Sequence, residues 1–368
     1  METTHKILFG NAQNMKEVGD GTIDLVVTSP PYPMIGMWDE LFSKQNSAIA
    51  DALEKDEANL SFELMHKELD KVWTEIYRVL QDGGIACINI GDATRKVDDE
   101  FRQYPNHSRI LQFCLNMGLT VLPEILWRKQ TNAPNKFMGS GMLPPGAYVT
   151  LEHEHILILR KGKKRTFKQE EKTLRRQSAY FWEERNKWFS DIWEGLKGTG
   201  QKAIEGKIRE RSGAYPFELA YRLINMFSLR ADTVLDPFLG TGTTTTAAMV
   251  TSRNSVGIEL DSNFKELLKE KFNDIVLFSH EILENRIFDH INFVQEKTEK
   301  KNGLKYKNKI YGFPVMTGQE TDLIFDEPRK IHQHENTFTV EYREEPSFKY
   351  IDGSLVQLGS LKEWLKEE

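Results

Sequence analysis

Residues 23–32 read Ile-Asp-Leu-Val-Val-Thr-Ser-Pro-Pro-Tyr, an apolar run that stops at two prolines. The β-branched run predicts a buried strand, and the prolines end it because proline has a fixed φ and cannot donate to a strand ladder. The loop from Thr28 to Tyr32 therefore follows the carboxyl end of a strand. In open α/β sheets, ligands bind at that end.

The side chains of this loop suit one particular ligand group. Ser29 offers a hydroxyl, Tyr32 offers a flat aromatic face, and the residues before the prolines are held extended, so that their carbonyls point in set directions. Together the hydroxyl and the carbonyls can accept the two hydrogens of a planar exocyclic amine, while the Tyr32 ring stacks on the base that carries this amine. The alternative is that the two prolines merely end a strand.

The loop also resembles a known motif. Ser29-Pro30-Pro31-Tyr32 is similar to the hallmark tetrapeptide of the amino-methylating DNA methyltransferases, which is Asp, Asn or Ser, then Pro-Pro, then Tyr or Phe. The resemblance implies that these four residues are catalytic. In that family the Ser-Pro-Pro-Tyr form is associated mainly with methylation of cytosine N4.

A second stretch, residues 233–244, reads Thr-Val-Leu-Asp-Pro-Phe-Leu-Gly-Thr-Gly-Thr-Thr and predicts a strand, a glycine turn and a helix. Gly240 and Gly242 allow a ligand to approach the backbone, and the helix N-terminus directs its N–H groups at that ligand. The third glycine of the dinucleotide fingerprint and the Gly-Lys-Ser/Thr of a P-loop are both missing.

This string closely resembles the S-adenosylmethionine loop of the same methyltransferases, which implies that cofactor. Glu259 ends the next predicted strand, where a carboxylate suits ribose hydroxyls. Asn11 matches an adenine-contacting position of the family, or it simply caps a turn. Near residues 212–217 the chain departs from the usual family pattern at Ser212 and Tyr215. The cofactor-binding residues implied by the resemblance are Asn11, Thr28, Tyr215, Pro216, Phe217, Asp236, Pro237, Phe238, Gly240, Gly242, Thr243, Thr244 and Glu259.

The order of the two loops predicts the fold and its subtype. The catalytic loop precedes the cofactor loop by about 200 residues, which is the permuted arrangement of the beta group of this family. We expect a doubly wound, mostly parallel α/β sheet in a catalytic domain at 1–275, with a target-recognition region at about 160–212. Residues 276–368 are expected to form a small α+β appendage with possible DNA contacts.

The charge distribution points to a local nucleic-acid surface. The chain has 368 residues and a net charge of −6, so that bulk electrostatics do not favour DNA binding. Residues 160–176, however, contain nine basic and two acidic residues. Such a run is either a solvated face or, with the nearby aromatic residues, a phosphate-binding surface. The DNA-binding residues we predict are Lys161, Lys163, Lys164, Arg165, Arg175 and Arg176.

The composition argues against several other classes of protein. Cys87 and Cys114 have neither metal-ligand nor disulfide spacing. His153 and His155, which alternate with glutamates, are better explained as the polar start of a strand than as metal ligands, so that we expect no metal. The sequence shows neither a membrane span nor a signal peptide, and a cytoplasmic protein is expected.

The sequence thus predicts a site-specific DNA methyltransferase that transfers a methyl group from S-adenosyl-L-methionine to cytosine N4. Duplex DNA hides that atom, so the base has to be flipped into the pocket. The resemblance also implies a restriction-modification system with a cognate endonuclease as a functional partner. Three alternatives stay open, namely adenine N6 methylation, an RNA or protein-glutamine methyltransferase, and an inactive DNA-binding module.

Overall fold

The structure is a computed structural model that describes residues 1–129, 138–196, 215–300 and 303–358. Its centre is a ten-stranded sheet, in the order β10-β6-β9-β3-β2-β11-β12-β1-β16-β15. The strands of this sheet are β1 (Glu2–Phe9), β2 (Ile23–Thr28), β3 (Leu80–Ile90), β6 (Leu119–Arg128), β9 (His153–Lys161), β10 (Ile192–Trp193), β11 (Thr233–Asp236), β12 (Asn254–Glu259), β15 (Pro328–His334) and β16 (Thr337–Tyr342).

The direction of the strands determines which loops meet. Strands β3, β2, β11, β12 and β1 are mutually parallel, and β9 runs antiparallel to both β3 and β6. The carboxyl ends of β2, β3, β6, β11 and β12 therefore lie at one edge of the sheet, together with the beginning of β9. We call this edge the carboxyl edge and the opposite one the amino edge. The predicted doubly wound, mostly parallel sheet is confirmed.

Helices cover both faces of this sheet because its central strands are apolar on both sides. Val26 and Ile88 pack in the core on one face, whereas Leu25 and Val27 pack in the core on the other. The helices are α1 (Asp39–Gln45), α2 (Ser47–Glu54), α3 (Ala58–Val79), α4 (Asn106–Asn116), α5 (Glu171–Gln177), α6 (Trp182–Trp188), α7 (Phe217–Phe227), α8 (Thr243–Val250), α9 (Phe264–Asn273) and α10 (Ile275–Lys300), with a 3₁₀ turn at Gly36–Trp38.

Four short hairpins lie outside the large sheet. Their strands are β4 (Ala93–Val97) with β5 (Glu100–Tyr104), β7 (Met138–Gly139) with β8 (Ala147–Tyr148), β13 (Tyr306–Lys307) with β14 (Pro314–Val315), and β17 (Phe348–Ile351) with β18 (Ser354–Gln357). The β4–β5 and β7–β8 hairpins both emerge from the carboxyl edge, after β3 and after β6 respectively. Within the described residues, no helix combines the length and the apolar character needed to cross a membrane.

Residues 276–368, which the sequence predicts as a small appendage, contribute two strands to the central sheet. β16 pairs antiparallel with β1, and β15 pairs with β16, so that both strands extend the central sheet. Without them, β1 would be an edge strand with unpaired backbone groups. The rest of the segment packs with Phe181 and α10 in a third apolar cluster around Tyr311 and Phe313.

Candidate active site

Two predicted loops, about 200 residues apart in the chain, meet at the carboxyl edge. β2 and β11 are neighbours in the sheet, with Val26 paired to Leu235. At their ends, Thr28 Oγ1 donates a hydrogen bond of 2.6 Å to Asp236 Oδ1. The two loops therefore share one wall of the same site.

Asp236 is the centre of a buried polar network beneath these loops. It accepts hydrogen bonds from Thr28 Oγ1, from Thr244 Oγ1 at 2.7 Å, from the backbone N–H of Phe238 at 3.1 Å and from Tyr215 Oη at 3.3 Å. Burial raises the pKa of Asp236, and these donors partly offset that rise. This carboxylate therefore holds the two loops together from behind.

A cavity of about 380 Å³ opens in front of the loops. Nine of the predicted site residues line it: Asn11, Ser29, Pro31, Tyr215, Pro237, Phe238, Gly240, Thr243 and Glu259. The others are not among its lining residues, namely Thr28, Pro30, Tyr32, Pro216, Phe217, Asp236, Gly242 and Thr244. The predicted set thus divides into residues that line the cavity and residues that lie behind or beside it.

The glycine turn shapes the floor of the cavity. Gly240 and Gly242 both have positive φ angles, of 51° and 73°. A Cβ atom on Gly242 would lie 2.6 Å from Leu268 Cδ2, so that this position requires glycine for close packing as well. The turn allows the backbone to run along the cavity before α8 begins.

Glu259 supports the turn from the neighbouring strand. Its carboxylate accepts the backbone N–H of Gly240 at 2.8 Å and that of Asp261 at 2.9 Å. Burial raises the pKa of Glu259, and these two backbone hydrogen bonds oppose the rise. Each carboxylate oxygen keeps a free lone pair, so that Glu259 can still accept two hydroxyl groups.

Part of the cavity lining comes from residues 37–45, which are not among the predicted cofactor-binding or catalytic residues. The 3₁₀ turn and α1 contribute Met37, Trp38, Leu41, Lys44 and Gln45. Elsewhere in the lining, Asn11 Oδ1 accepts the backbone N–H of Gln13 at 2.9 Å, which is the predicted turn-capping contact. Asn11 therefore caps its turn and faces the cavity.

The loop from Ser29 to Tyr32 is held by two side chains that are not among the predicted site residues. Tyr32 Oη donates to Glu154 Oε2 at 2.9 Å and lies 3.1 Å from Ser29 Oγ. Asn89 Nδ2 donates to Tyr32 Oη at 2.9 Å and to Glu154 Oε2 at 2.7 Å, and Lys129 Nζ donates to Glu154 Oε1 at 2.6 Å. Burial and the charge of Glu154 raise the pKa of Tyr32 well above its usual value.

The position of a strand end is the signal that could have found Asn89, whereas Glu154 also required the direction of β9. Asn89 lies at the carboxyl end of β3, and Glu154 lies at the start of the antiparallel β9, so both belong to the carboxyl edge. Asn89 Oδ1 is buried and has no hydrogen-bond partner among the described residues. A buried acceptor without a partner is costly, and a bound donor would satisfy it.

Asp92, His107 and His155 form a polar cluster next to this site. Their potential ligand atoms lie within 4.8 Å of one another, close enough to consider a metal. The rings of His107 and His155, however, stack nearly parallel at 3.8 Å, and in-plane lone pairs of parallel rings do not converge on one ion. Asp92 also accepts the backbone N–H of His107 at 3.1 Å, so that it caps α4, as a turn-capping residue would.

The structure does not bring the predicted DNA-binding residues to this edge. Lys161 ends β9 at the amino edge, where its Nζ donates to the carbonyls of Tyr77 and Leu80 at 2.7 Å each. Arg165 pairs at the same edge with Asp232 at 2.7 Å. The remaining four predicted residues are exposed: Lys163, Lys164, Arg175 and Arg176. Residues 197–212 of the predicted target-recognition region lie outside the described residues.

Comparison with known proteins identifies the class of enzyme to which this site belongs. Residues 23–270 match the DNA methylase family of N6/N4 methyltransferases. The type II methyltransferase M.MthZI of Methanothermobacter thermautotrophicus is 54% identical over 94% of this chain and 96% of its own length. M.MjaI of Methanocaldococcus jannaschii, also a type II methyltransferase, is 52% identical over 73% of this chain and 91% of its own length.

A solved structure agrees with this result. TTHA0409 from Thermus thermophilus, assigned as a DNA modification methylase and solved in complex with S-adenosyl-L-methionine, is 32% identical. The match covers 74% of this chain and 96% of that one, with a TM-score of 0.57. The chain therefore belongs to the N6/N4 DNA methylase family, which confirms the resemblance seen in its two loops.

Proposed function

We propose that this protein transfers a methyl group from S-adenosyl-L-methionine to the exocyclic N4 of cytosine in duplex DNA. The observation that carries the proposal is that Ser29 and Pro31 line the same cavity as Gly240 and Glu259. An amine-binding loop and a cofactor-type loop thus face one space. That juxtaposition is what a transfer between two bound molecules requires.

The cavity suits S-adenosyl-L-methionine in size and in chemistry. Its volume of about 380 Å³ falls in the range of small-molecule sites. Glu259 can accept the ribose hydroxyls, Asn11 and Phe238 lie where an adenine ring can be held, and the Gly240 turn admits the ligand to the backbone. When bound, this cofactor supplies an electrophilic methyl group. The related Thermus protein, solved with the same cofactor, supports the assignment.

The base site suits an exocyclic amine. Ser29 Oγ, the Pro30 carbonyl and the unsatisfied Asn89 Oδ1 are three acceptors at the carboxyl edge, where Ser29 lines the cavity. An amine that donates its hydrogens to such acceptors turns its nitrogen lone pair away from them. Catalysis then consists largely of positioning. Reaching the base costs a few kcal/mol of unstacking in duplex DNA, which stacking on Tyr32 would offset.

The choice of cytosine N4 over adenine N6 rests on the serine of the tetrapeptide. Adenine N6 is the second candidate, because the acceptor chemistry of the pocket would serve either amine. A companion restriction endonuclease is also part of the proposal, in keeping with the type II methyltransferases that the chain resembles.

The deciding experiment incubates the purified protein with mixed genomic DNA and methyl-labelled S-adenosyl-L-methionine, followed by digestion and mass spectrometry of the nucleosides. Label in N4-methylcytosine is the expected result. Label in N6-methyladenine would keep the reaction and overturn the choice of base. The absence of label from every nucleoside of the DNA would overturn the proposal.

A further inference from the structure

The hydrogen bonds behind Ser29 have a fixed direction. Glu154 receives Asn89 Nδ2 at 2.7 Å and Lys129 Nζ at 2.6 Å, and both of those nitrogens can only donate. Glu154 is thus an acceptor on every side, and Tyr32 must donate its own proton to Glu154 Oε2. The Tyr32 oxygen already accepts from Asn89 Nδ2 at 2.9 Å and keeps one more lone pair, so that Ser29 Oγ, 3.1 Å away, donates to it.

This direction decides what Ser29 can offer to a ligand. Its only proton is engaged by Tyr32, and Ser29 is a lining residue of the cavity. Ser29 can therefore only accept from a group in the cavity. An exocyclic amine presents hydrogens for such contacts. The hydrogen bonds from Glu154 through Tyr32 to Ser29 therefore orient the serine as an acceptor for an amine before the base binds.

We propose that Glu154 is a positioning residue that acts through Tyr32, sets Ser29 as an acceptor for the target amine and receives the proton which that amine loses. This inference rests on the proposed function. Asn89 and Glu154 are only 2% and 7% exposed, so that the chain is shielded from solvent over most of its length.

The proton transfer balances along the chain. As the amine nitrogen forms its bond to the methyl carbon, the carbon–sulfur electron pair leaves with sulfur, and the nitrogen becomes acidic. Its N–H proton passes to Ser29 Oγ, the Ser29 proton passes to Tyr32 Oη, and the Tyr32 proton passes to Glu154 Oε2. Ser29 and Tyr32 end neutral, and Glu154 ends as a carboxylic acid beside Lys129.

Glu154→Gln tests this role without changing the size of the side chain. If the Gln amide nitrogen faces Tyr32, it donates, and the direction of the whole chain reverses. If the amide oxygen faces Tyr32, the direction survives, but the amide nitrogen then opposes Lys129 Nζ and no carboxylate remains to take the proton. Both orientations predict a single-turnover rate of methyl transfer about 10²-fold lower, the scale of general acid–base effects.

Three further variants make the test specific. Tyr32→Phe keeps the stacking ring and removes the relay, and it should lower the rate to a similar degree. Both substitutions break the same chain of hydrogen bonds. The double variant Tyr32→Phe/Glu154→Gln should therefore be no more than about twofold slower than the slower single variant. Glu152→Gln is the matched control, because that side chain is 39% exposed and pairs with Arg128 at the surface. It should retain the wild-type rate.

The cofactor dissociation constant, measured by calorimetry without DNA, should stay at the wild-type value in Glu154→Gln, and any fall in melting temperature should leave the variant folded at the assay temperature. A wild-type rate in Glu154→Gln would overturn the inference, as would losses that multiply in the double variant. A fall in cofactor affinity and melting temperature that accounts for the lost rate would assign Glu154 a structural role and overturn it as well. If the wild-type protein labels no DNA, the proposed function fails first. If it labels DNA and Glu154→Gln is unimpaired, only this inference fails.

Discussion

Thr28 Oγ1 donates to Asp236 Oδ1 over 2.6 Å, and this one contact joins the end of β2 to the end of β11, the strand before the glycine turn. Both residues are buried, and the same carboxylate also accepts from Thr244. The spacing between Ser29 and Gly240 across the cavity is therefore set from beneath, by a network that need not touch any ligand.

Thr28→Val should destabilise the fold. Valine keeps the shape of threonine but removes the proton that Asp236 Oδ1 receives, and losing a partner from a buried charged group costs roughly 1–3 kcal/mol. Denaturant unfolding measures the change. Thr22→Val is the control, because Thr22 is exposed and a surface change of this kind costs less than about 0.5 kcal/mol. Equal stability of the two variants would show that the hydrogen bonds to Asp236 do not stabilise the fold.

Glu259→Gln should weaken cofactor binding. Its amide nitrogen would face the backbone N–H of either Gly240 or Asp261, and one ribose acceptor would be lost. We expect an increase of about 10- to 100-fold in the dissociation constant of S-adenosylhomocysteine, the equivalent of about 1.4–2.7 kcal/mol. Calorimetry without DNA measures it, with the exposed Glu266→Gln as control. Unchanged affinity would place the ribose elsewhere.

Gly91→Ala should slow methyl transfer and leave cofactor affinity intact. A Cβ atom at residue 91 would lie 2.8 Å from Tyr32 Cε2 and 3.3 Å from Glu154 Cγ, so that the ring has to move. Overpacking of this kind costs about 1–3 kcal/mol of stability. Gly36→Ala serves as the control, since nothing lies within 4 Å of its added Cβ. Transfer rates and calorimetry on both variants check the prediction, and a normal rate in Gly91→Ala would contradict it.

The sequence was sufficient to predict the parts of the site that depend on local chemistry. The prolines after β2 and the glycines after β11 mark the carboxyl ends of parallel strands, and such ends meet at one edge. Glu154 could not be assigned in the same way. Its contact with Tyr32, 122 positions away in the chain, depends on β9 running antiparallel to β3, and no local pattern specifies that pairing.

The C-terminal strands and the basic run show the same limit. Residues 337–342 alternate in the manner of a strand, but only pairing with β1 shows that they complete the central sheet. Likewise, the charge of residues 160–176 is visible in the sequence, whereas the edge of the sheet at which they lie depends on the direction of β9. Arg165 is then explained by its contacts with Asp24 and Asp232 at the amino edge.

His107 should give the protein a stability that depends on pH. The hydrogen bond to Asp92 raises the pKa of His107, so that its contribution is complete below the ordinary histidine value of about 6.5 and is lost as the pH rises through the raised folded-state pKa. His107→Ala should therefore be more destabilising at pH 6 than at pH 9 in denaturant unfolding. His332→Ala, at an exposed pair with Glu341, is the control. An equal loss at both pH values would contradict the role of this pair.

Lys163→Ala/Lys164→Ala tests where DNA lies on the protein. Both side chains are exposed next to Lys161 at the amino edge, away from Ser29, so that DNA held at the cavity should not reach them. We expect an unchanged affinity for DNA and an unchanged dependence of that affinity on salt. If the two lysines bind phosphates, the slope of log K against log salt should instead fall by about 2. That outcome would support the DNA surface predicted from the charge run, and it would require the duplex to extend around the sheet from one edge to the other.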